Sequence, residues 1–172
     1  MHDIRPARLD DARAIARVHV SSWRSTYDGI VPGAFLASLS VGKREARWIE
    51  ILSKPSREHV ALVAGDPVVG MLSAGPSREK DPRFSAELYA IYLRREAQGR
   101  GFGRALVGEF ARRMLALGHR AAHVWVLAAN PACGFYESTG ARLLRTTTIE
   151  IGRRLLVERC YGWDRLLNVQ VP

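Results

Sequence analysis

Hydrophobic residues occur along this 172-residue chain in two patterns, at helical spacing and in short runs. Apolar side chains three or four positions apart form one face of a helix, whereas short apolar runs bounded by turn residues are typical of buried strands. The first pattern predicts helices over residues 12–23, 43–52, 102–117 and 132–138, with a further helical piece at 35–39. The second predicts strands over residues 4–7, 59–64, 68–74, 87–93, 122–128, 142–151 and 155–161.

Aspartate, glycine and proline residues mark where these elements begin and end. Asp10 or Asp11 is a suitable N-cap for the first helix, and Gly118 is a suitable terminator for the long helix. Residues 75–83 are polar and contain two prolines, which predicts a flexible connection. The order is a strand, helices, three strands, a helix, a strand, a helix and two strands, and it predicts an α/β fold on a mixed sheet.

The composition is that of a soluble globular protein, with 47% hydrophobic and 25% charged residues. At 172 residues, the chain is predicted to form one domain over residues 1–172. No apolar run approaches the roughly 18 residues of a membrane span and residues 1–5 show no secretory signal, so we expect a cytoplasmic protein without a membrane partner. Cys133 and Cys160 are expected to be reduced thiols, and no cysteine or histidine cluster has metal-ligand spacing.

The formal net charge of +9 raises the question of a nucleic-acid partner. The basic residues are mostly arginines, and they are spread along the chain rather than gathered in one segment. Arg94, Arg95, Arg100 and Arg104 lie in or beside a glycine-rich segment at residues 98–103. A small polyanionic ligand accounts for this group, so nucleic-acid binding is the less favoured interpretation.

The glycine-rich segment lies between a predicted strand and the long predicted helix, and its sequence is Gln-Gly-Arg-Gly-Phe-Gly. Glycines allow the backbone to turn sharply and approach a ligand closely, and the free N–H groups of a helix N-terminus attract phosphate. A P-loop needs Lys-Ser/Thr after its last glycine, but Arg104 and Ala105 stand there, and neither possible frame fits G-x-G-x-x-G. The pattern that fits is Gln-x-x-Gly-x-Gly.

A second motif follows in the next part of the chain. A predicted strand ends at Asn130-Pro131, a short predicted helix carries Tyr136, and Gly140-Ala141 opens the next strand. In this order and at this separation, the two motifs resemble the hallmarks of the GCN5-related N-acetyltransferase (GNAT) superfamily. The resemblance covers nearly the whole chain. It implies an α/β fold with a mixed, mostly antiparallel central sheet flanked by helices on both faces.

The resemblance further implies that acetyl-CoA is the co-substrate and that its acetyl group moves to a primary amine by direct attack in a ternary complex. The main chain of the central strand would pair with the pantetheine arm, and the glycine-rich backbone would hold the pyrophosphate. Asn130 would bind the pantetheine amide or cap the following helix. The implied cofactor-binding residues are Ile91, Tyr92, Leu93, Gln98, Gly99, Arg100, Gly101, Phe102, Gly103, Arg104 and Asn130.

Two side chains are implied to take part in catalysis. Glu87, at the start of the central strand, would accept the proton of the attacking amine, with Glu150 and Glu158 as weaker candidates. Tyr136 would donate to the sulfur of the leaving thiolate. A backbone N–H next to Leu93 would bind the oxyanion of the tetrahedral intermediate.

The acceptor is less well specified than the cofactor. Trp23, Tyr27 and Asp28 lie where the first helices of the superfamily form one wall of the acceptor groove, although Trp23 and Tyr27 could equally face the core. A small-molecule amine is favoured, because nothing in the chain is typical of a peptide-binding surface. A protein N-terminus or lysine is the alternative acceptor, a non-catalytic acyl-CoA-binding regulatory domain is the alternative class of protein, and a homodimer is compatible with the resemblance.

Overall fold

A computed structural model describes residues 3–54 and 56–170 of the chain. The strands are β1 (Ile4–Pro6), β2 (Val60–Ala64), β3 (Gly70–Pro76), β4 (Ala86–Leu93), β5 (Ala122–Leu127), β6 (Arg142–Ile151) and β7 (Arg154–Trp163). The α-helices are α1 (Ala12–Thr26), α2 (Gly33–Ser38), α3 (Val41–Ser53), α4 (Phe102–Ala116) and α5 (Cys133–Ser138). The strands form one seven-stranded sheet in the order β1-β2-β3-β4-β5-β7-β6.

Neighbouring strands of this sheet are antiparallel, except for β4 and β5, which are parallel. Helix α4 packs on one face of the sheet, and α1 and α3 pack on the other. The α/β fold with a mixed, mostly antiparallel sheet and helices on both faces is therefore confirmed. In the described part of the chain, no helix is long and apolar enough to cross a membrane.

Helix α4 supplies much of the larger hydrophobic core. Leu106, Phe110 and Met114 follow one another at helical spacing, and all three are fully buried against the sheet. The sequence predicts that Leu117 continues this face, but Leu117 is 41% exposed because α4 ends one residue before it. The helix therefore packs along its length but leaves its carboxyl end in solvent.

The opposite face of the sheet carries the smaller core. Ile15 and Val18 of α1 pack with Trp48 of α3 over Val63 and Met71 of the sheet. Side chains of successive strand residues point to opposite faces, which is why a strand can serve both cores. The two helices therefore cover the part of the sheet formed by β2 and β3, whereas a third cluster around Tyr27, Leu36 and Leu127 packs on the β5–β7 side.

Asp11 lies just before α1, as the sequence predicts, but its carboxylate does not cap that helix. It accepts hydrogen bonds from the backbone N–H of Arg8 at 2.7 Å and from the guanidinium of Arg5 at 2.7 and 2.8 Å. The side chain therefore fixes the turn that leads from β1 into α1.

Strands β4 and β5 separate part-way along their length. Among the described residues, their ladder contains three pairs and ends at Leu88 and Val124. Tyr89 is an extra residue in the pairing of β4 with β3, and such a bulge bends its strand. Beyond it, β4 continues beside β3 as far as Leu93, whereas β5 continues beside β7 as far as Leu127. The two strands therefore leave a gap with unpaired backbone edges inside the sheet.

The segment at residues 75–83 differs from the flexible connection that the sequence predicts. The backbone N–H of Ser77 donates to the carbonyl of Ser85 at 2.9 Å, which extends the pairing of β3 and β4. The side chains of Arg78 and Glu79 bind groups on the sheet. These partners hold the segment in place.

We expect Phe110→Ala to lower the free energy of unfolding by about 3–5 kcal/mol, because it leaves a cavity in the core beneath α4. Leu117→Ala is the control, and its effect should stay below about 1 kcal/mol, because this side chain is 41% exposed. Chemical denaturation followed by circular dichroism measures both values. Equal losses in the two variants would contradict the packing of α4 described above.

Candidate active site

A cavity of about 600 Å³ occupies the gap between β4 and β5. Its walls are formed by β4 from Tyr89 to Leu93, β5 from Val124 to Val126, the glycine-rich segment, the start of α5 and the last turn of α1. Cavities of roughly 300–1,000 Å³ are typical of sites for small molecules. Because strand edges without a neighbouring strand and a helix N-terminus border the same space, the cavity suits an extended ligand with an anionic end.

The glycine-rich segment forms the turn that leads into α4. Gly99 and Gly101 have φ angles of 70° and 86°, left-handed values that glycine adopts without strain. Helix α4 begins at Phe102, so the N–H groups of its first turn have no acceptor within the helix. The side-chain amide of Gln98 donates to the carbonyl of Leu93 at 3.3 Å and ties the turn to the end of β4. The turn therefore offers backbone donors at one end of the cavity.

Three arginines near this turn differ in what they contact. Arg95 and Arg104 line the cavity, whereas Arg100 is exposed and lies outside its walls. Nη1 of Arg104 donates to the carbonyls of Ser138 and Gln170 at 3.3 and 3.2 Å, so this guanidinium also holds the end of α5. The side chain of Arg104 is thus partly engaged, and Arg95, one of the arginines attributed to a polyanionic ligand, lines the cavity.

Tyr136 lines the cavity from α5, although the residue is only 5% exposed. The rings of Phe135, Tyr161 and Trp163 surround it, with centroids at 5.4, 6.1 and 6.1 Å. No group in the described part of the chain forms a hydrogen bond with its hydroxyl, and burial raises the pKa of that hydroxyl. The hydroxyl is therefore protonated at neutral pH and available to donate to a ligand.

Asn130, just after β5, links the start of α5 to α1. Its Oδ1 accepts from the backbone N–H of Ala132 at 2.9 Å, which stabilises the turn before α5. Its Nδ2 donates to the hydroxyl of Tyr27 at 2.9 Å. Tyr27 also lines the cavity, and burial raises the pKa of its hydroxyl. Asn130 thus stabilises the turn before α5 without capping the helix itself, whose N-cap is Ala132, and it also positions Tyr27.

The three residues predicted for the acceptor wall have different surroundings. Tyr27 lines the cavity, as described above. Trp23 packs in an aromatic cluster, with the ring centroids of Tyr27 and Phe35 at 4.7 and 5.9 Å, and does not line the cavity. Asp28 is exposed and also lies outside the cavity walls. Trp23 therefore packs against other aromatic rings, as the core-facing alternative expected. Of the three residues, only Tyr27 lines the cavity.

Glu87 is 1% exposed and does not line the cavity. Its Oε2 accepts from the backbone N–H of Arg78 at 3.0 Å, both of its oxygens accept from Nε of Arg78 at 3.1 and 3.2 Å, and Oε1 also accepts from Nη2. Burial would raise the pKa of Glu87, but the hydrogen bonds from His123 and Arg78 together lower it to about 2. The carboxylate predicted as the base is therefore ion-paired and has little affinity for a proton.

A second polar cluster lies beside Glu87, and the sequence did not reveal it. Glu79 accepts a hydrogen bond from Trp125 Nε1 at 2.8 Å and another from the guanidinium of Arg145 on β6. That guanidinium also lies over the Trp125 ring, 5.2 Å from its centroid. Trp125 and Arg145 are 46 and 66 residues from Glu79 in the chain, so no local pattern could have shown the cluster.

Glu158 on β7, a weaker candidate for the base, lies close to this region. It is opposite Leu127 in the pairing of β5 with β7 and on the same face as Trp125. Its half-buried carboxylate has no hydrogen bond or ion pair within the described residues. Burial raises the pKa of Glu158, the charge of Arg78 opposes that shift, and Glu158 itself adds to the raised pKa of Tyr27. Glu158 therefore lies within electrostatic reach of both Tyr27 and Arg78.

Cys133 is buried and lies outside the cavity walls. Its Sγ is 3.7 and 3.8 Å from the carbonyl oxygens of Leu127 and Ala128. Over residues 3–54 and 56–170, no group of three or more histidine, cysteine, aspartate or glutamate side chains is arranged to hold a metal ion. The polar side chains that line the cavity include tyrosines and arginines but no carboxylate among the described residues.

Comparison with protein-family models matches residues 23–141 to the acetyltransferase (GNAT) family. The chain belongs to this family. As a GNAT protein it is an acetyltransferase, and both sequence motifs fall within the matched residues. A relative from Bacillus subtilis (strain 168), the uncharacterized N-acetyltransferase YuaI, is 37% identical over 169 residues, which are 96% of this chain and 95% of the relative.

Solved structures of GNAT proteins share the fold. The PaiA N-acetyltransferase of Thermoplasma acidophilum, in complex with coenzyme A, has a TM-score of 0.69 at 22% identity, over 92% of this chain and 98% of its own. YncA of Salmonella typhimurium, with its cofactor acetyl-CoA, has a TM-score of 0.72 at 20% identity, over 100% and 98%. A phosphinothricin acetyltransferase of Sinorhizobium meliloti, in complex with AcCoA, has a TM-score of 0.71 at 25% identity, over 94% and 87%.

We expect Gly101→Val to weaken acetyl-CoA binding at least about tenfold, because a branched side chain strains this left-handed position and fills space at the N-terminus of α4. Isothermal titration calorimetry measures the affinity. Gly134→Ala is the matched control, because the added Cβ meets no atom within 4 Å and Gly134 is not part of the cavity wall. Wild-type affinity in Gly101→Val would show that the turn does not hold the pyrophosphate.

Proposed function

We propose that this enzyme transfers the acetyl group of acetyl-CoA to the primary amine of a small molecule, by direct attack within a ternary complex. The observation that carries the proposal is the hydroxyl of Tyr136, which has no hydrogen-bond partner among the described residues, at a cavity bordered by two separated strands and the N-terminus of α4. GNAT proteins of the same fold contain coenzyme A or acetyl-CoA in their structures, which supports the choice of cofactor.

The cofactor fits the cavity in an extended form. The pantetheine arm adds to the free edge of β4 through the main chain of Ile91, Tyr92 and Leu93, in the manner of an added strand. The pyrophosphate lies at the turn of residues 98–104, where backbone N–H groups and the helix dipole favour negative charge. Arg95 adds positive charge at the cavity wall. The thioester then lies towards Tyr89, where β4 and β5 begin to separate.

The attacking nitrogen must be neutral, whereas a free alkylamine with a pKa near ~10.4 is mostly ammonium at neutral pH. A carboxylate takes the surplus proton, directly or through water. Glu87 is poorly suited to this role, because Arg78 and His123 hold its pKa at about 2. Glu158 suits it better, because it is unpaired within the described residues and burial raises its pKa.

The transfer then proceeds in two steps. The neutral nitrogen forms a bond to the thioester carbon, and a backbone N–H on the free edge of β4, close to Tyr89 rather than to Leu93, stabilises the oxyanion that results. The nitrogen, which is positively charged after the attack, loses one proton to solvent, the carbon–sulfur bond breaks as the intermediate collapses, and Tyr136 donates its hydroxyl proton to the departing sulfur. Solvent restores that proton. The products are an acetylated amine and coenzyme A.

A panel assay tests the proposal as a whole. Acetyl-CoA is supplied with small amines, lysine-containing peptides and peptide N-termini, and release of free thiol is followed. The proposal predicts release with small amines. Binding of acetyl-CoA without release across the panel would instead favour the non-catalytic regulatory domain, and release with peptides alone would move the acceptor to proteins.

The cellular compartment and the oligomeric state are also part of the proposal. We expect the cytoplasm, because Cys133 and Cys160 are free buried thiols and such thiols persist in a reducing compartment. A homodimer stays a prediction, which light scattering on the purified protein would test.

We expect Tyr136→Phe to lower kcat by about 10- to 1,000-fold with little change in acetyl-CoA affinity, because only the proton donor is removed. Steady-state kinetics and calorimetry separate the two effects. Tyr161→Phe is the matched control, since its hydroxyl donates to Glu137 at 2.9 Å and does not line the cavity. A wild-type kcat in Tyr136→Phe would remove this residue from the role of acid.

The acid limb of the pH profile of kcat/KM should lie above the usual glutamate pKa of about 4.3, because the pKa of Glu158 is raised. As pH falls through that raised pKa, the base is protonated and the rate falls. Glu158→Gln should remove this limb and lower kcat about 100-fold, whereas exposed Glu150→Gln should change neither. An unchanged profile in Glu158→Gln would exclude Glu158 as the base.

A further inference from the structure

Arg78 lies on the segment between β3 and β4 and packs over a residue that lines the cavity. Its guanidinium carbon is 4.8 Å from the centroid of the Tyr89 ring, and that residue lines the cavity. The Tyr89 hydroxyl donates to the carbonyl of Pro76 at 2.6 Å, so the ring beneath the guanidinium is itself held in place. The Arg78 side chain is 67% exposed, so a ligand can reach it from solvent.

One edge of the Arg78 guanidinium is used within the protein, and another is free. Nε and Nη2 donate to the carboxylate of Glu87. Nη1 has no acceptor in the described part of the chain, and Nη2 keeps a second hydrogen. An edge of this kind binds a carboxylate through two parallel hydrogen bonds.

Glu87 anchors Arg78 in this position. The carboxylate is almost fully buried and also binds the backbone N–H of Arg78 at 3.0 Å. A cationic acceptor that took the place of Arg78 would have to break several charge-assisted hydrogen bonds to a buried carboxylate. An acidic group that adds to the free edge breaks none of them. The pair therefore favours an acceptor with a negative charge over one with a second positive charge.

The charged side chains around Arg78 also favour a polar acceptor. Arg145 and Trp125 both bind Glu79, so that carboxylate is already satisfied. Glu158 remains unpaired within the described residues, and the charge of Arg78 acts on it. Arg78 and Glu158 are thus close enough for their charges to interact, and each keeps unused hydrogen-bonding capacity within the described residues, although neither is among the residues that line the cavity. An ammonium group and an acidic group on one small molecule would satisfy both.

We propose that Arg78 binds the acidic group of the acceptor, and that the acceptor is a small amine that also carries a carboxylate, as amino acids do. The inference rests on the proposed transferase function and names the substrate class of the same site. Glu87 is then a positioning residue that holds Arg78, and Glu158 receives the ammonium end. Glu79, Trp125, Arg145 and Glu158 share the face of the sheet from which this acceptor approaches.

Matched pairs of acceptors test the substrate class. The wild-type enzyme is assayed with acetyl-CoA and each of the common amino acids, with the corresponding amino-acid amides, and with spermidine. An amide keeps the amine and side chain but loses the negative charge. For the best amino acid, we expect kcat/KM to exceed that of its amide by about 10- to 100-fold, the range of a charge-assisted bond.

Two variants test the role of Arg78 itself. Arg78→Lys keeps a positive charge beside Glu87 but loses the fork, and Arg78→Gln/Glu87→Gln removes both charges together, so that no buried carboxylate is left unpaired. In both, KM for the amino acid should rise about 10-fold or more while KM for acetyl-CoA stays constant and the preference over the amide is lost. Arg83→Gln, on the same segment and paired with Asp81, is the control and should keep the preference.

The outcomes separate this inference from the proposed function. Equal rates for amino acids and amides, or a preference for spermidine, would overturn the acidic acceptor while leaving an active acetyltransferase. A preference that survives in both Arg78 variants would overturn the role of Arg78. Bound acetyl-CoA without thiol release from any member of the panel would contradict the transferase proposal, and the inference that rests on it would fall too.

Discussion

The candidate active site depends on the point at which β4 and β5 stop pairing and the central sheet opens. Parallel strands cannot be joined by a tight turn, so the chain must cross over between β4 and β5, and α4 makes that crossing. The crossover places the N-terminus of α4 at the carboxyl end of β4, where β4 has already left β5 after Leu88. A strand edge in need of a partner and a helix end that attracts anions therefore meet in one place. The buried face of α4, centred on Phe110, holds that arrangement against the sheet.

Burial decides which polar groups serve chemistry and which serve structure. A carboxylate as deeply buried as Glu87 is tolerated only when its charge is met by hydrogen-bonded partners, and Arg78 and His123 meet it. Tyr136 is equally enclosed by aromatic rings, but its hydroxyl is neutral and can remain without a partner beside a cavity. Hydrogen bonds to Arg78 and His123 thus outweigh burial and make Glu87 a weak base, whereas burial alone keeps Tyr136 protonated as a proton donor.

The sequence predicted the parts of the protein that local patterns encode. The turn around Gly99 and Gly101, the buried face of α4 apart from Leu117, and the order of helices and strands along the chain follow from residue spacing over short distances, and the structure contains them. Contacts between polar side chains on different strands could not be predicted, because periodicity indicates which side chains are buried but not which charged side chain each of them contacts. Glu79 and its partners on β5 and β6 are therefore visible only in the fold. The sequence could not decide whether Trp23 lines the acceptor groove or packs in the core, because a helix face that points to a groove and one that points to a core have the same spacing.

A crystal structure of the enzyme with acetyl-CoA tests the central claim most directly. The account predicts that the pantetheine arm lies between β4 and β5 and pairs with the main chain of Ile91 to Leu93. It also predicts that the pyrophosphate lies on the turn of residues 98–104 and that the thioester sulfur is within hydrogen-bond reach of the Tyr136 hydroxyl. A cofactor bound elsewhere, or a sulfur beyond the reach of Tyr136, would contradict the assignment of this gap as the catalytic centre.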